Sequence, residues 1–90
     1  MRNAARTDAT QGPIVRALEA IGCRVYYIKW PCDLLVTYRQ RTIAMECKSR
    51  TGTLTKDQQR LVETWNGAEF YIVRTPEEAL TAILGERAMA

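Results

Sequence analysis

The chain contains no histidine. That absence removes the commonest metal ligand and the usual general base, so Ser-His and Cys-His mechanisms and the usual zinc sites are excluded. Any general base has to be a carboxylate, a lysine or a metal-bound water. Cysteine is scarce: Cys23, Cys32 and Cys47 are three in number and form no C-x-x-C pair, which argues against a disulfide framework and for small core residues. No apolar run approaches the ~20 residues of a membrane span. The opening stretch MRNAARTDATQG also lacks the apolar segment of a signal peptide. These absences predict a soluble, cytoplasmic protein. With 90 residues, 47% of them hydrophobic, there is material for one domain and one modest core.

The most informative stretch runs from Pro31 to Lys48, PCDLLVTYRQRTIAMECK. Two short aliphatic runs, Leu34-Leu35-Val36 and Ile43-Ala44-Met45, flank the polar turn Tyr38-Arg39-Gln40-Arg41, a pattern that predicts a β-hairpin. Three charges bound these apolar strands: Asp33 opens the first, and Glu46 and Lys48 close the second. Because side chains alternate along a strand, Glu46 and Lys48 share a face while Met45 and Cys47 share the other. Antiparallel pairing then brings Asp33 to the strand end that carries Glu46 and Lys48. Two carboxylates and an ammonium suit Mg²⁺, with a lysine left to act on whatever the metal holds. They equally suit a structural ion pair at a strand end. The pattern D-x(12)-E-x-K is short and degenerate, and spacing alone favours the ion pair.

Around this hairpin the pattern predicts the order α-β-β-β-α-β-α. Residues 1–7 read as a mobile arm ahead of a single domain spanning 8–90. A first helix follows, with Ile14, Leu18 and Ile21 at helical spacing beside Val15 and Ala17, and Gly22 as its stop. Pro13 fits only a first turn, placing the cap near Thr10, although Asp8 and Gln11 have capping-box spacing. Arg24 to Lys29 predict a strand, and the hairpin strands, apolar on both faces, predict burial on both sides of a central mixed sheet. A second helix is expected from Thr55 to Asn66, stopped by Gly67, with Leu54, Leu61, Val62 and Trp65 inward. Gln58 falls on that stripe, where it closes a T-x-x-Q capping box with Thr55 or faces an active site. A last strand, Glu69 to Arg74, leads to a helix opened by Thr75-Pro76-Glu77-Glu78 and docked by Leu80, Ile83 and Leu84.

Taken together, CDLLV (32–36), ECK (46–48), LTKDQ (54–58) and YIVRTPEEAL (71–80) resemble, in that order, the VRR-NUC branch of the PD-(D/E)XK nucleases, in the small stand-alone form of phage and bacterial genomes. The resemblance covers nearly the whole chain. It implies a three-layer α/β fold of the restriction-endonuclease type and a Mg²⁺-dependent endonuclease acting on DNA, with Mn²⁺ as a substitute. It implies that Asp33, Glu46 and the Cys47 main-chain carbonyl hold the metal, that Lys48 serves the attacking water, and that Gln58 belongs to the catalytic group. Gln11 matches a position at which the family often offers an acidic ligand. The chain departs from the family before Asp33, where the short Trp30-Pro31-Cys32 replaces a glycine-rich loop and Pro-Asp.

The net charge of +3 is unevenly placed: residues 1–50 carry nine Lys/Arg against four Asp/Glu, and residues 51–90 carry four against six. A basic half around the acidic cluster suits a polyanion. Lys29, Arg39, Arg41 and Arg50 in that half, together with Lys56, are the candidate DNA contacts. The exposed-type aromatics Tyr26, Tyr27, Trp30 and Tyr38 are candidates for a homodimer contact that would present two sites to a four-way junction or flap. Two other classes remain open: a non-catalytic nucleic-acid-binding module, and a structural or protein-interaction domain in which the arginines serve solubility.

Overall fold

A computed structural model describes residues 2–85. The elements occur in the expected order: α1 (Arg2–Ala20), β1 (Arg24–Tyr27), β2 (Leu34–Tyr38), β3 (Arg41–Cys47), α2 (Lys56–Thr64), β4 (Glu69–Val73) and α3 (Pro76–Leu84). The strands form one mixed sheet in the order β1-β2-β3-β4, antiparallel except for the parallel pair β3 and β4. The hairpin strands are therefore central.

Local chemistry explains most boundaries. Gly22, at φ 100°, ends α1: Cys23 N–H donates to the Leu18 carbonyl at 3.1 Å and Gly22 N–H to the Glu19 carbonyl at 3.1 Å. That pairing satisfies the last carbonyls of the helix, as a C-terminal glycine in the left-handed region permits. The start of α1 departs from expectation. Residues 2–7 are helical and continuous with it instead of a separate arm, and Pro13 lies inside the helix. The helix runs through Asp8 and Thr10, so neither is its cap; Pro13 removes one intrahelical hydrogen bond, and alanines on the N-terminal side favour continued helix. β1 is shorter than expected, ending at Tyr27. At α3, Pro76 occupies the first turn and the Thr75 hydroxyl accepts from Glu78 N–H. The Glu78 carboxylate accepts from Arg74 N–H at 2.7 Å, one residue ahead of the cap.

One face of the sheet carries the core. Leu34, Val36, Ile43, Met45 and Val73 pack against Ile14, Val15 and Leu18 of α1 and against Ala79 and Ile83 of α3. Leu84, expected to dock α3, is exposed, and Ala79 takes its place. Tyr38 also packs against this core, which removes it from the exposed aromatics. The opposite face is covered less well than two-sided burial predicts. Ala44 is buried there, but Leu35, Phe70 and Ile72 are half-buried and Thr42 is exposed. No residue of α2 is buried, so its supposed inward stripe is a partial one, and the helix ends at Thr64 instead of Asn66. Its anchor is Trp65, which meets Phe70 edge to face at 5.0 Å. Gly67 allows that contact, since a Cβ there would come within 2.8 Å of the Trp65 ring.

The hairpin turn is strained in a way that fixes the register. Tyr38 pairs with Arg41, so only Arg39 (φ 48°) and Gln40 (φ 73°) turn the chain, both in the left-handed region. A two-residue turn of this kind matches strand twist but favours Asn-Gly. Gln40→Gly should therefore stabilise the fold by about 1 kcal/mol, which a thermal melt would read as a rise of roughly 4–8 °C. A fall in melting temperature would count against the turn geometry.

Candidate active site

The register of the hairpin builds the site. Leu34 faces Met45, so continuing the antiparallel ladder by one residue sets Asp33 opposite Glu46. The Asp33 carboxylate accepts from Cys47 N–H at 2.9 Å, where the next ladder bond would be, while Ile28 N–H donates to the Asp33 carbonyl at 2.9 Å from the other side. Asp33 is thereby fixed between β1 and β3. Lys48 N–H donates to the Val73 carbonyl at 3.0 Å, which carries β3 one residue further beside β4 and sets the Lys48 stem.

Glu46 is 5% exposed, unusually deep for a carboxylate. One of its oxygens, Oε2, accepts from Gln58 Nε2 at 2.8 Å and lies 3.4 Å from Lys48 Nζ. Among the described residues Glu46 makes no other side-chain hydrogen bond. Burial pushes its carboxyl above the usual carboxylate range and the Asp33 charge pushes the same way, against the opposing pull of Lys48 and the Gln58 amide. The site thus sets two carboxylates, Asp33 and Glu46, against the single ammonium of Lys48.

Gln58 closes the capping box and also reaches Glu46. Its Oε1 accepts from Thr55 N–H at 2.9 Å and its backbone N–H donates to the Thr55 hydroxyl at 3.1 Å, closing the capping box. Its Nε2 is left free for Glu46. The cap therefore holds the amide in the orientation that meets the carboxylate, and α2 is tied to the sheet at the site.

Gln11, 5% exposed, lines the same cleft as Asp33, Glu46 and Lys48, together with Ser49 and Gly52; its volume is about 590 Å³. Sequence reasoning did not find Arg74. Its guanidinium donates to the carbonyls of Ser49 and Gly52, each at 2.6 Å, and so holds the loop that walls the cleft beside Lys48. The conformation of that loop is not encoded locally, and an arginine at a strand end gives no signal of it. Cys47 is as expected in its side chain: it packs against the core, and burial pushes its thiol up to about 12, leaving it protonated and chemically quiet.

The five candidate DNA contacts separate into two groups. Lys29, Arg50 and Lys56 are exposed on the loops and helix start at the cleft end of the sheet. Arg39 and Arg41 are at the opposite end, beyond five residues of strand, or roughly 17 Å. Arg41 is committed to structure. Its Nε and Nη2 grip the Glu69 carboxylate at 2.8 and 2.6 Å, and its Nη1 and Nη2 reach the Ile83 and Ala82 carbonyls near the end of α3, at 2.6 and 3.2 Å. There a cation offsets the negative end of the helix. Arg39 lies over the Tyr38 ring at 5.3 Å.

The donor set admits a hard cation. Asp33 and Glu46 supply carboxylate oxygens, and strand geometry turns the Cys47 carbonyl to the same side as its N–H, toward Asp33. Among the described residues no group of three or more His, Cys, Asp or Glu side chains converges, so a metal here would complete its shell with main chain, amide and water. No helix is long and apolar enough to cross a membrane among the described residues. Comparison with protein-family models, curated proteins and solved structures finds no match for this chain.

Proposed function

We propose that the chain is a Mg²⁺-dependent endonuclease that hydrolyses DNA phosphodiester bonds, on a restriction-endonuclease-like fold of the VRR-NUC type. The observation that carries this reading is the convergence of Asp33, Glu46, Lys48 and Gln11 on one cleft, with Gln58 bonded to Glu46. Gln11 comes from α1, Gln58 from α2, Glu46 from β3, and Asp33 and Lys48 from the residues next to β2 and β3. Asp33, Glu46 and the Cys47 carbonyl would hold the ion, with Gln11 at the rim of the same site; Mn²⁺ would substitute. When bound, the ion supplies a water of lowered pKa and offsets charge on the phosphate.

The chain's own residues do the rest. Gln58 fixes one oxygen of Glu46, so that the carboxylate presents the other to the cleft. Lys48 places its ammonium beside Glu46, where it orients the attacking water and offsets the charge that develops on the phosphoryl oxygens. Lys29, Arg50 and Lys56 grip flanking phosphates. Without the ion, two carboxylates repel the phosphate they are built to approach.

A second reading has an observation in its favour. Lys48 and Glu46 at 3.4 Å, with side chains 17% and 7% exposed, are also what a folding ion pair looks like in a nucleic-acid-binding module without catalysis. The two separate in one experiment: purified protein incubated with labelled linear, flapped and four-way-junction DNA, with and without Mg²⁺ or Mn²⁺. Cleavage only in the presence of metal is expected. Salt-dependent binding that never leads to cleavage would assign the module instead.

A further inference from the structure

The first strand and the loop after it carry rings that the core does not use. Tyr26, Tyr27 and Trp30 are 50%, 66% and 67% exposed, the three most exposed large apolar side chains among the described residues. β1 is an edge strand, so its outer side is open. Among the described residues the only aromatic pair is Trp65 with Phe70, and the only cation over a ring is Arg39 over Tyr38. No second ring and no cation among the described residues therefore lies over Tyr26, Tyr27 or Trp30.

Their position relates them to the cleft. Ile28 N–H donates to the Asp33 carbonyl, so β1 reaches the site within one strand spacing, about 5 Å, of Asp33. Trp30 is two residues beyond Ile28, on the loop that returns to Asp33. Around the rings stand two exposed cations, Arg24 and Lys29, and the run RVYYIKW contains no acid. A second copy of this chain docked two-fold on this face would set those cations against their own images. A polyanion meets them favourably.

We propose that Trp30 and Tyr26, the tyrosine that the register with Leu35 places on the sheet face of Asp33 and Glu46, form a stacking platform for unpaired nucleobases of a strand whose backbone runs past Lys29 toward the cleft; Tyr27, opposite Leu34, belongs to the other face. Every base offers a π face to such rings regardless of sequence, and the cations track the phosphates. This rests on the proposed nuclease reading and narrows its substrate to nucleic acid with a single-stranded segment beside the scissile bond.

The test is binding by the full chain in EDTA, so that it does not depend on hydrolysis. Titration with a 15-mer of thymidine and with a blunt duplex of equal length is followed by intrinsic tryptophan fluorescence and by anisotropy of the labelled DNA. Trp30 should be quenched by the single strand. Trp30→Ala and Tyr26→Ala should each weaken single-strand binding about ten-fold, a typical loss for one stacked base, while duplex binding changes less than two-fold and Trp30→Phe restores most of the affinity. Equal losses on both ligands, or no loss on the single strand, would overturn the platform, as would a dimer by light scattering that Trp30→Ala converts to monomer. If the platform binds but metal never produces cleavage, the nuclease reading fails and the stacking stands. If the protein cleaves and Trp30→Ala binds as the parent does, the reverse holds.

Discussion

Replacement of Lys48 by alanine is expected to lower the rate of Mg²⁺-dependent DNA cleavage by about 10³-fold, the loss that follows removal of one preorganised group from a transition state that develops charge. Asp33→Asn and Glu46→Gln should each do the same. The double variant Glu46→Gln/Lys48→Ala should lose little more than either single one, because groups that act as a unit give non-additive losses. Two helix variants separate positioning from folding. Gln58→Leu breaks the contact to Glu46 and should lower the rate, whereas Thr55→Ala removes only the hydroxyl half of the cap, at a cost of about 1 kcal/mol in stability, keeps the Thr55 N–H that holds the Gln58 amide, and should leave the rate near that of the parent. Initial rates on labelled DNA, with circular dichroism to establish that each variant is folded, would decide. A Lys48→Ala protein that cuts at the parental rate means the chemistry lies elsewhere.

The parts of the site that could be read from the sequence are those that one hairpin controls. A two-residue turn at Arg39-Gln40 leaves no freedom of register, so alternation along two short strands is enough to set Asp33 against Glu46 and to turn Lys48 to the same side. The capping residues of α2 and α3 and the glycine after α1 were legible for the same reason: their hydrogen bonds close within a few residues. What failed depends on pairings far apart in the chain. Arg41 was expected on DNA because arginine reads alike whether solvated or buried in a fork. Its partner Glu69 becomes visible only through the parallel register that places Glu69 beside Ile43. The amphipathic look of α2 was misleading because its apolar stripe faces a sheet surface that it covers only in part, through Trp65 on Phe70. The N-terminal arm was inferred from polarity and the start of the helix from Pro13, yet a helix can hold a proline where neighbouring residues favour it. Arg74 left no sequence signal at all, since its partners are main-chain carbonyls whose position is a property of the loop.

In metal-free buffer Glu46→Gln is expected to make the protein more stable than the parent near neutral pH. The reason is the direction of the Glu46 shift. Its folded pKa lies above the ordinary 4.5, because burial and Asp33 disfavour the charged form more than Lys48 and Gln58 favour it. The native state then holds this proton more tightly than the unfolded chain does, so stability falls as pH rises from the unfolded value through the folded one. Above the folded pKa that penalty is fully present in the parent, and it is absent from the glutamine variant, whose carbonyl can still accept from Gln58. The gain should be about 1–2 kcal/mol, the size commonly recovered when a functional charge is relieved, and it should shrink toward zero as pH drops below the unfolded value. Melting curves from pH 3.5 to pH 8 would trace it. Mg²⁺ supplies the contrast: it should raise the melting temperature of the parent by binding the native state and leave that of Glu46→Gln unmoved. A buried ion pair makes the opposite forecast. If its only role is to hold β3 in place, removing the Glu46 charge strands Lys48 and lowers stability by about 3–5 kcal/mol, with no response to metal. The sign of one stability change at pH 7 thus distinguishes a carboxylate kept for a cation from one kept for a lysine.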